Sequence, residues 1–118
     1  MVDELEQRDD NTAATALTIK KGNYFLLPDG TMAESGVIEH VAQSCSALAG
    51  CRSTSDTPPV GMIVEIKDCQ FCRRPLSGEK IETTVTFGFS FGNMTLAHGV
   101  SSAGGSQIAE MDLKIFMQ

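Results

Sequence analysis

Histidine and the large aromatic residues are scarce in this chain. The 118 residues include no tryptophan, one tyrosine and two histidines. The histidines are His40 and His98, so no imidazole precedes position 40. Because histidine is the commonest general base in enzymes, the first third of the chain lacks the usual group for that role.

Basic residues and long apolar runs are also scarce. Nine Lys and Arg stand against fifteen Asp and Glu, which gives a net charge of -6 at pH 7. Nucleic-acid binding needs a basic stripe, and the sequence has none. No apolar run is long enough to span a membrane, and the first residues lack the basic and apolar regions of a signal peptide. We therefore expect a soluble cytoplasmic protein that binds neither nucleic acid nor membrane.

The four cysteines do not form a metal-ligand set. Cys69 and Cys72 have zinc-knuckle spacing, but Cys45 and Cys51 do not form a second such pair, and no histidine is near. On a strand, residues three apart point to opposite faces and cannot chelate one ion. Without a secretion signal, we expect reduced, buried thiols, and we predict no metal or other cofactor.

The length corresponds to a single domain, 1–118, with one core. Residues 34–50 are small or apolar almost all round and predict one long helix, with Ser35 as its cap and Gly50 at its end. Alternating or β-branched segments predict strands at 2–7, 12–19, 60–71, 81–91, 94–102 and 107–117.

This order of elements predicts an α+β domain in which a hairpin and a buried helix are followed by four strands in a meander. An antiparallel sheet whose concave face covers the helix is the economical packing. One helix cannot fill and close such a sheet, so we expect edge-to-edge pairing with a second copy. Most of the strand residues Phe87, Phe89, Phe91 and Met94 are predicted to lie in the core, with some lining a tunnel.

One carboxylate interrupts the apolar helix. Glu39 lies in its second turn, with Gln43 four residues later. A buried carboxylate is costly unless it is paired or neutralised, so Glu39 indicates either an active site or a hydrogen bond to Gln43 or to groups across a dimer. A buried, neutral glutamic acid can serve as a general acid. The amides near Gly36 and Val37, at the positive end of the helix, predict an oxyanion site.

Two motifs resemble a known family. Residues 32–43 read MAESGVIEHVAQ, similar to the helix entry M-P-G-V-x-I-x-E-A-x-A-Q of the FabA/FabZ-like 3-hydroxyacyl-(acyl carrier protein) dehydratases. Residues 68–81 read DCQFCRRPLSGEKI, similar to that family's F-R-R-P-V-x-P-G-D-x-L segment. Divergent dehydratase-like proteins of aryl-polyene and related bacterial clusters are the relatives we expect. The resemblance implies the hot-dog fold, an antiparallel sheet wrapped around one central helix.

The resemblance also implies a mechanism. In the family, a histidine removes the α-proton of a 3-hydroxyacyl thioester and a glutamate protonates the leaving hydroxyl, while an amide at the helix start polarises the thioester carbonyl. Glu39 matches the glutamate, and Gly36 and Val37 match the helix start. Phe25 and Gln43 are the further substrate-binding candidates. The implied partners are an acyl thioester on acyl carrier protein or CoA, and a homodimer or larger even-numbered oligomer.

The family's histidine is absent. Its H-F-P-G segment falls about fourteen residues before the glutamate, where this chain has Phe25 in the segment YFLLP. His40 could act as the base across a dimer interface, although neighbours on a helix point about 100° apart. Otherwise His40 is a hydrogen-bonded interface residue. His98 is a weaker candidate, as an exposed or satisfied strand residue.

Arg73 and Arg74 are candidate contacts for a partner. In the family this region lies near the mouth of the substrate tunnel, where basic groups can meet an acidic carrier protein. On an acidic chain, two adjacent arginines form a local positive spot that could steer such a partner. The alternative is two solvated charges at a strand end.

Three functions follow, of which a 3-hydroxyacyl-carrier-protein dehydratase of fatty-acid or polyketide-type biosynthesis is the leading interpretation. A hot-dog acyl thioesterase is the second, because Glu39 could activate water without an upstream histidine. A catalytically inactive binding or scaffold partner of an active dehydratase is the third, and the missing histidine favours it.

Overall fold

The computed structural model describes residues 2–52 and 61–117. Its elements lie within two residues of the predicted boundaries at each described end, and the predicted strand start at position 60 lies outside the described residues. In chain order they are β1 (Glu4–Asp9), β2 (Thr12–Thr18), α1 (Glu34–Arg52), β3 (Gly61–Phe71), β4 (Lys80–Phe91), β5 (Met94–Ala103) and β6 (Ser106–Met117).

The six strands form one antiparallel sheet in the order β1-β2-β4-β5-β6-β3. The predicted β1–β2 hairpin is confirmed, and so is the antiparallel sheet around a helix. The predicted four-strand meander is wrong, because β3 pairs with β6 at the far edge and β4 pairs with β2. Alternation along a strand fixes which face is buried but not which strand is its neighbour, so the sequence did not reveal this crossing.

The helix α1 lies against the concave face of the sheet. Val37, Val41, Cys45 and Leu48 recur at helical spacing and are each at most 1% exposed. A Cβ added to Gly99 of β5 would lie 2.6 Å from Cγ1 of Val41, so helix and sheet touch closely there. The strands bury the facing side chains Ala13, Leu17, Ile81, Val85, Ala97, Ile108, Met111 and Leu113.

The strand β4 changes face near its end. Between Phe87 and Ser90 it advances three residues while β5 advances two, which is a β-bulge. Phe87 is buried, but Phe89 is 69% exposed and Phe91 is 46% exposed. The prediction that most of the residues Phe87, Phe89, Phe91 and Met94 lie in the core is therefore wrong for the single chain, in which Phe87 alone of the four is buried. The extra residue turns Phe89 and Phe91 toward the outer, convex face of the sheet.

The edge strands are β1 and β3, and they differ in character. All of β1 is exposed and mostly polar, whereas β3 exposes Met62, Val64 and Ile66. An exposed apolar edge strand is a template for pairing with another chain. The predicted edge-to-edge assembly would use β3, and it stays a prediction.

Within residues 2–52 and 61–117, no helix combines the length and apolar character needed to cross a bilayer. No group of three or more His, Cys, Asp or Glu side chains in the same residues is arranged to hold a metal ion.

Candidate functional site

Glu39 lies on the face of α1 that turns away from the central strands. Here a shallow recess of about 270 Å³ opens between the helix and the strands β3 and β6. The sequence predicted a buried carboxylate, but in the single chain Glu39 is half-buried. The recess is lined by Glu39, Ala42, Gln43, Ser46, Ile63 and Ile115.

Gln43 orients this carboxyl group. Its Nε2 donates to Oε1 of Glu39 at 2.9 Å, a bond that the i, i+4 spacing of a helix allows. No other hydrogen bond or ion pair to Glu39 occurs within the described part of the chain. The carboxyl group is therefore held from one side and not neutralised by a cation. The other side of the carboxyl group opens into the recess, between the side chains of Ile63 and Ile115.

His40, the next residue, faces the opposite way. Its side chain is fully buried against the sheet, with Nε2 at 2.9 Å from Oγ1 of Thr83. Thr83 Oγ1 in turn lies 2.7 Å from Oγ of Ser101. Within one chain, the structure does not bring the side chains of Glu39 and His40 to a common point. Consecutive helical positions diverge by about 100°, which accounts for this.

A second buried pair completes this polar layer. Ser44 Oγ donates to the carbonyl oxygen of His40 at 2.8 Å, and Thr15 Oγ1 lies 2.7 Å from Ser44 Oγ. In the described residues no buried side-chain N or O atom lacks a partner. Sequence reasoning missed this layer between helix and sheet. Its signal was the i, i+4 spacing of His40 and Ser44 together with hydroxyl residues at inward strand positions.

Phe25 packs against the start of α1. A Cβ added to Gly36 would lie 2.5 Å from Cβ of Phe25 and 2.7 Å from Cγ of Met32. The amide of Ala33 donates to the carbonyl oxygen of Phe25 at 2.9 Å, which fixes the loop against the helix. A phenyl ring therefore occupies the loop position at which the resemblance implies a histidine. Beneath it, position 36 has no room for a Cβ, so only glycine fits there.

The amides that the sequence predicted as an oxyanion site are engaged. Gly36 N donates to the carbonyl oxygen of Ala33 at 2.9 Å, and Val37 N contacts the same oxygen at 3.4 Å. The helix begins at Glu34, and the carbonyl oxygen of the preceding residue, Ala33, accepts both of these bonds. Ser35 lies inside the first turn, and the prediction that it caps the helix is wrong.

Both predicted partner-binding arginines are paired within the chain. Arg73 donates from Nη1 and Nη2 to Glu79 at 2.7 and 2.9 Å, and this hydrogen bonding holds the pKa of Glu79 at about 2. Arg74 Nε donates to Oε1 of Glu34, in the first turn of α1, at 2.9 Å. Intrachain carboxylates thus offset the positive spot that the sequence indicated. A contact between these arginines and a carrier protein stays a prediction.

His98 does not line this recess but lies on the outer face of the sheet. Its Nδ1 is 2.6 Å from Oδ1 of Asp112, and its Nε2 is 2.9 Å from Oε2 of Glu110. The hydrogen bond to Asp112, more than that to Glu110, raises the pKa of His98 above its ordinary value. This arrangement corresponds to the satisfied strand residue that we considered from the sequence.

The thiols divide into two kinds. Cys45 is buried, and this burial raises its pKa to about 12. Cys69 and Cys72 are free and exposed, so the prediction of buried thiols is wrong for them in the single chain. The side chain of Cys51 lies outside the part of the chain that the structure describes.

A six-stranded antiparallel sheet wrapped around one helix is the hot-dog fold. Solved structures match this architecture at identities that show the fold alone. A Streptococcus pneumoniae structure titled a hypothetical thioesterase protein with coenzyme A has 9% identity and a TM-score of 0.79, covering 98% of this chain and 87% of that one. The Escherichia coli PaaI protein from the phenylacetic acid degradation operon has 9% identity and a TM-score of 0.77, with coverages of 98% and 78%.

A match to a family model shows which family of hot-dog proteins includes this chain. The model for the ApeP-like family, described as ApeP dehydratase, matches residues 1–118, so the chain belongs to the ApeP-like dehydratase family. The dehydratase heterocomplex ApeI:P from Xenorhabdus doucetiae is also similar, with 17% identity, a TM-score of 0.87, and coverage of 99% of this chain and 82% of that one. A search of curated protein sequences finds no match.

Proposed function

We propose that this chain takes part in the dehydration of 3-hydroxyacyl thioesters as the subunit that supplies the acid, Glu39. One observation carries the proposal. Glu39 presents a carboxyl group, oriented by Gln43 and otherwise without a protein partner in the described residues, to a recess beside an unpaired strand edge. Family membership supplies the reaction class.

The proposed reaction is a proton-balanced elimination. A base takes the α-proton of the 3-hydroxyacyl thioester, and the electron pair of that C–H bond forms the new C=C bond. Glu39 donates its proton to the 3-hydroxyl group, which leaves as water. The product is a 2-enoyl thioester, and the base afterwards returns its proton to Glu39 through solvent.

The surroundings of Glu39 suit the rest of the substrate. Ile63 and Ile115 give the recess apolar walls for an acyl chain. We infer that Gln43 and the helix start at Gly36 and Val37 lie along the thioester, with Phe25 above them. The carrier, acyl carrier protein or CoA, would sit outside, in a cytoplasmic pathway of fatty-acid or polyketide type.

The base must come from another chain. His40 is buried in the inner layer and His98 lies on the outer face of the sheet, so neither of the two histidines opens into the recess. The edge strand β3 lies beside the recess and is free to pair. We therefore propose a dimer across β3 whose second hot-dog subunit supplies the base. A dehydratase heterocomplex among the similar structures supports such an assembly.

The experiment compares the chain alone with the chain mixed with a second hot-dog dehydratase subunit that carries the H-F-P-G histidine. A 3-hydroxyacyl thioester is added, and enoyl absorbance and free thiol are followed separately. We expect enoyl formation only in the mixture, and its loss in the mixture with Glu39→Gln. The matched control is Glu82→Gln, which makes the same change at an exposed carboxylate of β4.

Two outcomes would contradict the proposal. Thiol release without enoyl formation would make the chain a thioesterase in which Glu39 activates water. Stable association with the second subunit, with equal enoyl formation in the wild type and in Glu39→Gln, would reduce the chain to a scaffold.

A further inference from the structure

The recess beside Glu39 has a direction along α1. The helix residues that line it are Glu39, Ala42, Gln43 and Ser46, so the recess starts at the acid and continues toward the C-terminal end of the helix. Glu39, Gln43 and Ser46 are spaced i, i+4 and i+7, which places them on one face of a helix. At a rise of about 1.5 Å per residue, Ser46 lies about 10 Å along the helix axis from Glu39.

The same face continues to Gly50, which follows Ser46 at i+4 and still belongs to α1. A Cβ added to Gly50 would meet no atom of the described residues within 4 Å. Beyond Gln43, this face of the helix therefore carries only the short side chain of Ser46 and no side chain at Gly50. The shape of the helix leaves space for a groove that runs past Ser46.

The lining of the recess suits a hydrocarbon chain. Ile63 of β3 and Ile115 of β6 are neighbours across the two strands, and both side chains line the recess. On the helix side, the lining residues after Glu39 are all uncharged, and Ala42 among them is apolar. Each methylene group that enters between these side chains leaves water, which favours binding.

We propose that the acyl chain of the substrate lies along α1 from Glu39 toward Gly50, and that Ser46 determines which chain lengths are accepted. This inference rests on the proposed function, which puts the 3-hydroxyl group at Glu39 and the thioester near the helix start at Gly36. Because the thioester and the acyl chain leave the reacting carbons in opposite directions, the acyl chain takes the C-terminal half of the helix.

The helix also supplies a length scale for the acyl chain. An extended backbone covers about 3.6 Å in three bonds, so an extended carbon chain advances about 1.2 Å per bond. The distance from Glu39 to Ser46 then corresponds to about eight bonds beyond the 3-carbon, and a chain of about eleven carbons reaches Ser46. By the same measure, Gly50 is reached by a chain of about sixteen carbons.

The first experiment measures kcat/KM for 3-hydroxyacyl thioesters with chains of about eight and about fourteen carbons, which end before and after Ser46. It uses the mixture with the histidine-bearing subunit, and the rate of that subunit alone is subtracted. Ser46→Leu fills the groove, so the ratio of kcat/KM for the longer chain to that for the shorter one should fall by about 10-fold or more. A variant that failed to fold would lose both activities together.

Two further variants locate the effect. Ser106→Leu is the matched control, because it makes the same change at an exposed serine of β6 that does not line the recess, and it should leave the ratio unchanged. Gly50→Leu places the obstruction about one turn further along the helix. It should lower the ratio only for a chain of about eighteen carbons.

A second experiment measures binding without turnover. The purified chain is titrated calorimetrically with saturated acyl-CoA thioesters of the two shorter lengths, which lack the 3-hydroxyl group. The wild type should bind the longer chain at least about 10-fold more tightly, because more methylene groups leave water. Ser46→Leu should remove most of this difference, and Ser106→Leu should keep it.

The two experiments separate this inference from the proposed function. If Ser46→Leu left both ratios as in the wild type, the acyl chain would not pass Ser46 and the inference would be wrong, even where enoyl formation depends on Glu39. If no enoyl formation depended on Glu39 but Ser46→Leu still removed the difference in binding, the proposed function would fail and the path of the acyl chain would stand.

Discussion

On the inner face of α1, His40 and Ser44 are fully buried and bonded to Thr83, Thr15 and the backbone. On its outer face, Glu39 and Gln43 are partly exposed, and among the described residues each side chain is bonded only to the other. The polar residues of one helix thus serve two purposes. The inner set stabilises one arrangement of helix and sheet, while the outer set keeps hydrogen-bonding capacity that the described residues do not use.

The difference between the two faces shows that moving one residue along a helix redirects the side chain to a different environment. Glu39 and His40 are neighbours in sequence and carry the two side chains that most resemble an acid–base pair. The fold separates them by about 100° around the helix axis. Adjacency in the sequence therefore weighs against a shared site in one chain, whereas Gln43, four residues from Glu39, is its true partner.

The largest effect should come from the outer face. Glu39→Gln keeps the bond geometry with Gln43 but removes the proton donor. In the mixture with a histidine-bearing subunit, enoyl formation should fall by about 10²–10⁴-fold. The free energy of unfolding should change by less than about 0.5 kcal/mol, because Glu39 is half-buried and Glu39→Gln can keep its hydrogen bond to Gln43. Steady-state kinetics and urea titration measure the two quantities.

On the inner face the effect should be on stability. His40→Ala leaves a cavity between helix and sheet and removes the bond to Thr83, so unfolding should cost about 2–4 kcal/mol less. Gln43→Ala, on the other face, is the control and should cost less than about 1 kcal/mol. Urea titration gives both values. If His40→Ala abolished activity while leaving stability intact, His40 would belong to the chemistry and the contrast between the faces would fail.

The close contact between helix and β5 gives a smaller effect. Gly99→Ala places its Cβ 2.6 Å from Cγ1 of Val41 and should destabilise the protein by about 1–3 kcal/mol. Val41→Ala removes that carbon. The cost of Gly99→Ala should therefore be smaller in the Val41→Ala background, as a double-mutant cycle by urea titration would measure. If the free-energy costs of Gly99→Ala and Val41→Ala were strictly additive, the added Cβ and the Val41 side chain would not be in contact.

The smallest effects are the contributions of two charged groups to stability. One contribution is lost as the pH falls, and the other is lost as the pH rises. The pKa of Glu79 is lowered from 4.5 to about 2, so its contribution to stability is present above 4.5 and is lost as pH falls toward 2. The pKa of His98 is raised, so its contribution is present below the ordinary value of 6.5 and is lost as pH rises through the folded value.

Thermal unfolding against pH checks both signs. In a plot of unfolding temperature against pH, Glu79→Gln should flatten only the acidic side of the curve. His98→Gln should flatten only the side above neutral pH. The His98 effect should be below about 1 kcal/mol, since partly exposed ion pairs contribute little. A His98→Gln variant that lost stability at low pH and high pH alike would show that the ring acts by packing and not by charge.

The sequence predicted most of the fold because local patterns carry it. Alternation gave the strands, and the apolar content of residues 34–50 gave the helix. The neighbour of β3 was missed because it depends on how the chain crosses the sheet. The outward turn of Phe89 was missed because a bulge needs a partner strand to be defined.

The site was predicted in part. Glu39 and Gln43 follow from their spacing on a helix, and the bond between them is observed. The pairing of Arg73 and Arg74 did not follow, because Glu79 and Glu34 come from different parts of the chain. The polar layer around His40 was missed for the same reason, since Thr83 and Ser101 reach it only through the sheet.

The central claim is that this chain holds the acid half of a dehydratase and lacks the base half. The most direct test installs an imidazole by Phe25→His and measures enoyl formation by two copies of the variant chain, in which the imidazole of one copy would serve Glu39 of the other across β3. We predict that Phe25→His gains activity that the wild type lacks, and that Phe25→His with Glu39→Gln loses it again. Equal activity of the wild type and Phe25→His, or an active double variant, would contradict the account.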